Sequence, residues 1–136
     1  MHPVLYILMR NDLDSLNPGK AMAQAAHAAN KFVKDIKTIK NWQPAEDCFD
    51  RDWSIQDDGF GTTIVLGLPI NQIECAIEKA LDAGLAAGSV IDTTYPIRDG
   101  QVTHYLELKT CGYIFIDSDS YDTKTYRELK TLPLHK

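Results

Sequence analysis

Six of the nine residues from Ala21 to Ala29 are alanine, and they follow directly on Asn17-Pro18-Gly19-Lys20. This stretch, NPGKAMAQAAHAAN, limits the fold more than any other part of the chain. Asn17 suits the cap of a helix, and Pro18 suits its first turn, where a missing N–H costs nothing. Methyl side chains then let the helix lie close against a sheet or another helix. Just before it stands the compact apolar run VLYILM, Val4 to Met9. That run does not alternate with polar residues, so it reads as a strand buried on both faces. A doubly buried strand beside a close-packing helix begins a layered α/β domain.

The remaining pattern extends that frame. The first helix is expected to run to about Lys40, with Phe32, Val33, Ile36 and Ile39 on its apolar face. Thr62 to Leu66 reads as a second strand. A helix opened by Pro69 follows, with Ile73, Ile77, Ala80 and Leu81 at helical spacing and Gly84 as its C-terminal cap. Ser89 to Ile91 is expected as a short strand ending at Asp92, and Cys111 to Ile116 as a fourth strand. The segment between them, RDGQVTHYLELK, fits a hairpin or an extended edge, and a final helix is expected from near Ser120. The expected fold class is a layered α/β sandwich around a small, largely parallel or mixed sheet.

At 136 residues, with 44% hydrophobic and 24% charged side chains, the chain is expected to form one domain over residues 1–136; disorder, collagen and multidomain assemblies are excluded. No apolar run approaches the roughly 20 residues that cross a bilayer, and MHPVLYILMR lacks the marks of a signal peptide. No membrane association and a cytoplasmic location are therefore expected. Cys48, Cys75 and Cys111 form no CxxC pair and are expected as free thiols. The net charge of −5 is unevenly spread. Residues 1–44 hold six basic and three acidic side chains, whereas residues 45–58 hold six acidic and one basic. The stretch 45–58, AEDCFDRDWSIQDD, reads as an acidic surface loop or excursion, pinned by Trp42, Phe49 and Trp53. Charge alone thus permits an anionic partner near the first helix.

Lys20, Gln24, His27 and Lys31 fall within a sector of roughly 60° on the first helix, so four polar groups line one face. Lys20 stands in the first turn, where the helix dipole disfavours a cation, yet lysine and free N–H groups together suit a phosphate or a developing oxyanion. A solvated lysine is the plainer reading. PGK is not a phosphate-binding P-loop, because Asp14 stands where that motif needs glycine and Ala21 where it needs Ser or Thr. His2, His27, His104 and His135 show no metal-ligand spacing, and neither a metal nor another cofactor is expected. Asp92, at the carboxyl end of a strand, is expected in the crevice where the first helix starts, within reach of Lys20, with a strand-end Asp that caps a turn as the competing account.

The order RNDL (Arg10 to Leu13), GKAMAQAAHA (Gly19 to Ala28), a strand opened by GFGTTIVL, a helix and a strand ending in Asp92 resembles the type II peptidyl-tRNA hydrolases of archaea and eukaryotes. The resemblance implies a three-layer α/β/α sandwich with a mixed four-stranded sheet, often dimeric. It also implies metal-free cleavage of the ester joining a peptide to the terminal ribose of tRNA. By that resemblance Lys20, His27 and Asp92 are catalytic candidates. Thr94 is the nearer counterpart of the family threonine, and Thr103 a more distant one. Gln24, Lys31 and Arg10 are substrate-binding candidates. The chain reads DTTYPIRDG where the family has DAGRTQ, the stretch 45–58 looks like an insertion, and Gln101 to Lys109 departs from the family pattern. The alternative reading is a binding module of the same fold without hydrolase activity; a third is hydrolysis of a different acyl or amide substrate.

Overall fold

The structure is a computed structural model that describes residues 2–39, 42–56 and 61–136. Four strands form one mixed sheet in the order β2-β1-β4-β3: β1 Val4–Arg10, β2 Thr63–Leu68, β3 Ala86–Asp99 and β4 Val102–Ile116. β1 pairs in parallel with β2 and antiparallel with β4, and β4 is antiparallel to β3. Helices α1 (Pro18–Thr38) and α2 (Gln43–Arg51) cover one face, and α3 (Ile70–Asp82) and α4 (Lys124–Leu129) cover the other. β1 shows why its apolar run does not alternate: Leu5, Ile7 and Met9 enter the core under α1, and Tyr6 and Leu8 the core under α3.

Local chemistry sets the helix limits. The Asn17 side chain accepts from Lys20 N at 2.9 Å, and Pro18 occupies the first turn. The helix ends at Thr38, and Lys40 lies outside the described residues. Pro69 is the cap of α3 rather than a residue of its first turn. At the far end Gly84 takes φ 81°, so that Gly84 N reaches Leu81 O and Leu85 N reaches Ala80 O, at 3.0 and 2.9 Å. A residue with a Cβ is disfavoured there. Gly112 matters for another reason: a Cβ on it would lie against Ile77 and 2.8 Å from the Gly88 carbonyl, so its bareness lets α3 approach β4.

Several expectations are corrected. The acidic stretch is not a loop over residues 43–51 but α2, followed by a single turn of tighter helix at Trp53–Ile55. Ala45, Cys48 and Phe49 recur at helical spacing and are buried, while the carboxylates of Asp47 and Asp50 face outward. Phe49 and Trp53 ring the fully buried Phe32 at centroid distances of 5.7 and 5.4 Å, and Trp42 packs against the same core. Residues 57 and 58 lie outside the described residues. β3 does not end at Asp92 but continues to Asp99, and Gln101 to Lys109 belongs largely to the returning strand, so the segment is a hairpin turning at Gly100. Beyond the Met9–Cys111 pair β4 pairs with β3 alone, and the hairpin is a two-stranded arm. The last helix starts at Lys124, not Ser120, because Asp117 Oδ1 captures Asp119 N and Ser120 Oγ and Thr123 supplies the cap. The chain after it lies along β2, with Gly67 N bonded to Pro133 O and His135 N to Val65 O.

Candidate active site

β3 and β4 each carry one extra residue where they pass beneath α1. Pairing goes from Val90–Cys111 to Ile91–Lys109, leaving Thr110 extra on β4, and from Asp92–Leu108 to Tyr95–Leu106, leaving one residue extra on β3. Side chains on a strand alternate between faces, so each bulge switches which positions meet α1. On β4 Cys111, Tyr113 and Phe115 join the core under α1, but across the bulge Leu108 does; on β3 Ala86 and Val90 give way to Tyr95 and Ile97. The two bulges bring Asp92, Tyr95 and Thr110 to one face.

Gln24 ties this face to α1. Thr110, fully buried, donates its hydroxyl proton to Gln24 Oε1 at 2.7 Å, and Gln24 Nε2 donates to Asp92 Oδ2 at 2.7 Å. A carboxylate only accepts, which fixes the amide orientation. Asp92 Oδ1 accepts from Thr94 N at 2.9 Å and from Thr94 Oγ1 at 3.3 Å. Burial raises the Asp92 carboxyl's pKa, but the hydrogen bonds from Gln24 and Thr94, with a smaller contribution from the charge of nearby His27, outweigh it and hold the carboxyl below its ordinary value.

Lys20 lies one helical turn before Gln24. Its ammonium donates to the Pro96 carbonyl at 2.6 Å and stands 5.0 Å above the Tyr95 ring. Tyr95 is fully buried and shares a 3.0 Å hydrogen bond with Ser15. Among the described residues no ion pair joins Lys20 to Asp92. The expected encounter is thus replaced by two parallel tethers, Lys20 to Pro96 and Gln24 to Asp92, with α1 antiparallel to β3.

The other candidates fall around this cluster. His27 is exposed on the same face of α1. Lys31 pairs with Asp35 at 2.9 Å, and Asp35 accepts from the buried Tyr113 hydroxyl at 2.7 Å. Arg10 is engaged elsewhere: its fork grips Asp12 at 2.9 and 3.3 Å, and its third contact is the Lys109 carbonyl. Thr103 lies out on the arm opposite Arg98. Thr110 was missed by sequence reasoning; the signal for it is the polar residue standing directly before CGYIFI, where a bulge turns it inward. Cys111 is buried beside Gln24 O, and burial pushes its thiol up to about 12. Among the described residues no three His, Cys, Asp or Glu side chains converge to hold a metal ion, and no helix is long and apolar enough to cross a membrane.

A lysine in the first turn of a helix, tethered to the facing sheet beside a hydrogen-bonded carboxylate, marks a candidate polar site in a small α/β protein. The model of one protein family, peptidyl-tRNA hydrolase PTH2, matches residues 3–112. The chain belongs to the peptidyl-tRNA hydrolase PTH2 family. No curated protein shows a significant match to it.

Proposed function

We propose that this chain hydrolyses the ester between the peptide and the terminal ribose of peptidyl-tRNA, using side chains of the α1–β3 face. The observation that carries the reading is the tethering of Lys20 and Asp92 to one face by Pro96 and Gln24, within a chain of this family. Asp92, ionised at neutral pH and accepting on both oxygens, orients a water and is a weak base. Lys20 directs its ammonium N–H groups at the oxyanion that forms when water adds to the ester carbonyl; collapse of that adduct breaks the bond to the ribose oxygen, which takes up the proton that Asp92 removes from the water. Thr94 and Gln24 hold Asp92, Thr110 holds Gln24, and His27 lies on the side toward which α1 presents its cations.

Charge placement supports an RNA substrate despite the net charge. α2 is bound through Lys37 to Asp50 and Glu46. Lys37 is about 25 Å along the helix from Lys20, at 1.5 Å per residue. The acidic residues of α2 therefore leave the Lys20 face open.

Turnover of a peptidyl-tRNA by the wild type, Lys20→Ala and Asp92→Asn tests the reading. Each variant is expected to lose about a hundredfold or more in kcat, the scale of removing one oxyanion donor, and a chelator is expected to leave the wild-type rate unchanged. Equal rates for all three proteins remove the proposed site. Retained tRNA binding with no ester cleavage supports the binding-module alternative.

A further inference from the structure

We propose that the β3–β4 arm is the acyl side of this site: Leu106, Ile97 and Val102 receive the apolar side chain of the amino acid esterified to tRNA. This rests on the hydrolase reading and adds which side of the ester is held where. Leu106 is paired with Tyr95, whose ring lies beneath the Lys20 ammonium. Directly opposed residues on antiparallel strands share a face, with Cβ atoms about 5 Å apart, so Leu106 stands beside Tyr95 on the α1 side. Ile97 is two residues further along that face, and Val102 lies two pairs beyond the Ile97–His104 pair toward the tip. α1 runs antiparallel to β3 and starts near Pro96, so the helix leaves the outer arm uncovered. Leu106 is 44% exposed and Val102 56%, and Ile97 is half-buried against the core.

Charge assigns the occupant. From Lys20 along α1 the exposed His27 and Lys34 follow, with Lys31, paired to Asp35, between them, which suits a polyanion. In the opposite direction, the α1-facing side of the arm carries Leu106, Ile97 and Val102 with only His104 and Asp99 as ionisable neighbours, while Arg98 and Glu107 alternate to the far side. An ester placed at Lys20 therefore has its ribose and phosphates drawn along α1 and its acyl group laid on the arm.

The test uses the full chain, methyl-labelled, titrated with stable amide analogues of N-acetylphenylalanyl-adenosine and N-acetylglycyl-adenosine. The phenylalanyl analogue is expected to shift the methyl signals of Leu106, Ile97 and Val102 and to bind about tenfold more tightly than the glycyl one, the scale of an apolar side-chain contact. Leu106→Ser is expected to abolish that preference and Leu106→Met to retain it. Equal affinity of the two analogues, no binding of either, or shifts confined to other surfaces overturns the proposal. Turnover separates the two readings: Leu106→Ser is expected to raise KM for N-acetylphenylalanyl-tRNA by about tenfold more than it raises KM for N-acetylglycyl-tRNA. A wild type that cleaves neither tRNA overturns the hydrolase reading, while the analogue titration still decides the arm.

Discussion

Gln24 and Asp92, 68 residues apart in the chain, share a 2.7 Å hydrogen bond. The carboxylate is thereby held by a neutral amide, and the nearby cation, Lys20, is left with a backbone carbonyl as its partner. An ammonium that is not neutralised by a neighbouring carboxylate keeps its charge available, as the proposed reaction requires of Lys20. Replacing Gln24 with Leu takes a donor from Asp92 and the acceptor from buried Thr110. We expect a loss of about 1–3 kcal/mol in stability, the cost of unsatisfied buried polar groups, read as a lower urea midpoint with an unchanged m value. The acid limb of the turnover profile is expected to move to higher pH, because a donor that holds the Asp92 pKa down is gone.

Thr110→Val is nearly isosteric and removes only the hydroxyl that orients the Gln24 amide. Turnover is expected to fall severalfold with stability reduced by about 1 kcal/mol, and Thr110→Ser is expected to restore both. Steady-state rates beside thermal melts separate this from a simple packing defect, since Val fills the site as well as Thr does.

Arg10 beside Asp12 holds that carboxyl below its ordinary value of 3.8, its hydrogen bond outweighing burial. A carboxyl lowered on folding binds fewer protons in the native state, so its contribution is present above the unfolded value and is lost as pH falls through the folded one. Asp12→Asn is therefore expected to be less stable than wild type at pH 6, with the gap closing below the ordinary carboxylate range. Urea midpoints at a series of pH values check this.

Lys34 is exposed on α1, whereas Lys37 is already engaged by Asp50 and Glu46. For tRNA binding, Lys34→Ala is expected to flatten the slope of log affinity against log salt by about 0.7–0.9, the release of one counterion. Lys37→Ala is expected to leave that slope unchanged. Equal slopes for wild type and Lys34→Ala place the RNA elsewhere.

Cys75 is exposed, while Cys48 and Cys111 are buried. A thiol reagent is expected to modify Cys75 alone in the native protein and all three after denaturation, as mass spectrometry of the modified chain will show. Rapid native labelling of Cys111 would contradict the packing of β4 against α1.

The sequence and the structure agree where one local rule decides. Asn17 caps α1, Gly84 ends α3, and VLYILM is buried on both faces, because each follows from the chemistry of a few neighbouring residues. The candidate site was legible on the helix to the extent that Lys20, Gln24 and His27 share one face, which follows from a 3.6-residue period. It was not legible on the sheet. Period-two reasoning places Asp92 and Tyr95 on opposite faces, and only the bulge between them brings both to α1. A bulge breaks the period-two alternation by which strand faces are assigned, which is why Asp92 read as a strand end and the polar Thr110 before CGYIFI was not placed on the α1 side. α2 was hidden differently: six acidic residues drew attention from the Ala45, Cys48 and Phe49 stripe that seats it.

The extra residues on β3 and β4 also compensate one another. Outward of Tyr95 and Leu106 the pairing is regular to the turn at Gly100. The hairpin can therefore lengthen or shorten by equal increments on its two strands, as insertions and deletions accumulate, without reorienting Asp92 or Thr110. The geometry around Asp92 and the length of the arm are separable properties of the fold: one is set by the register slips beneath α1, and the other by the number of regular pairs outward of them.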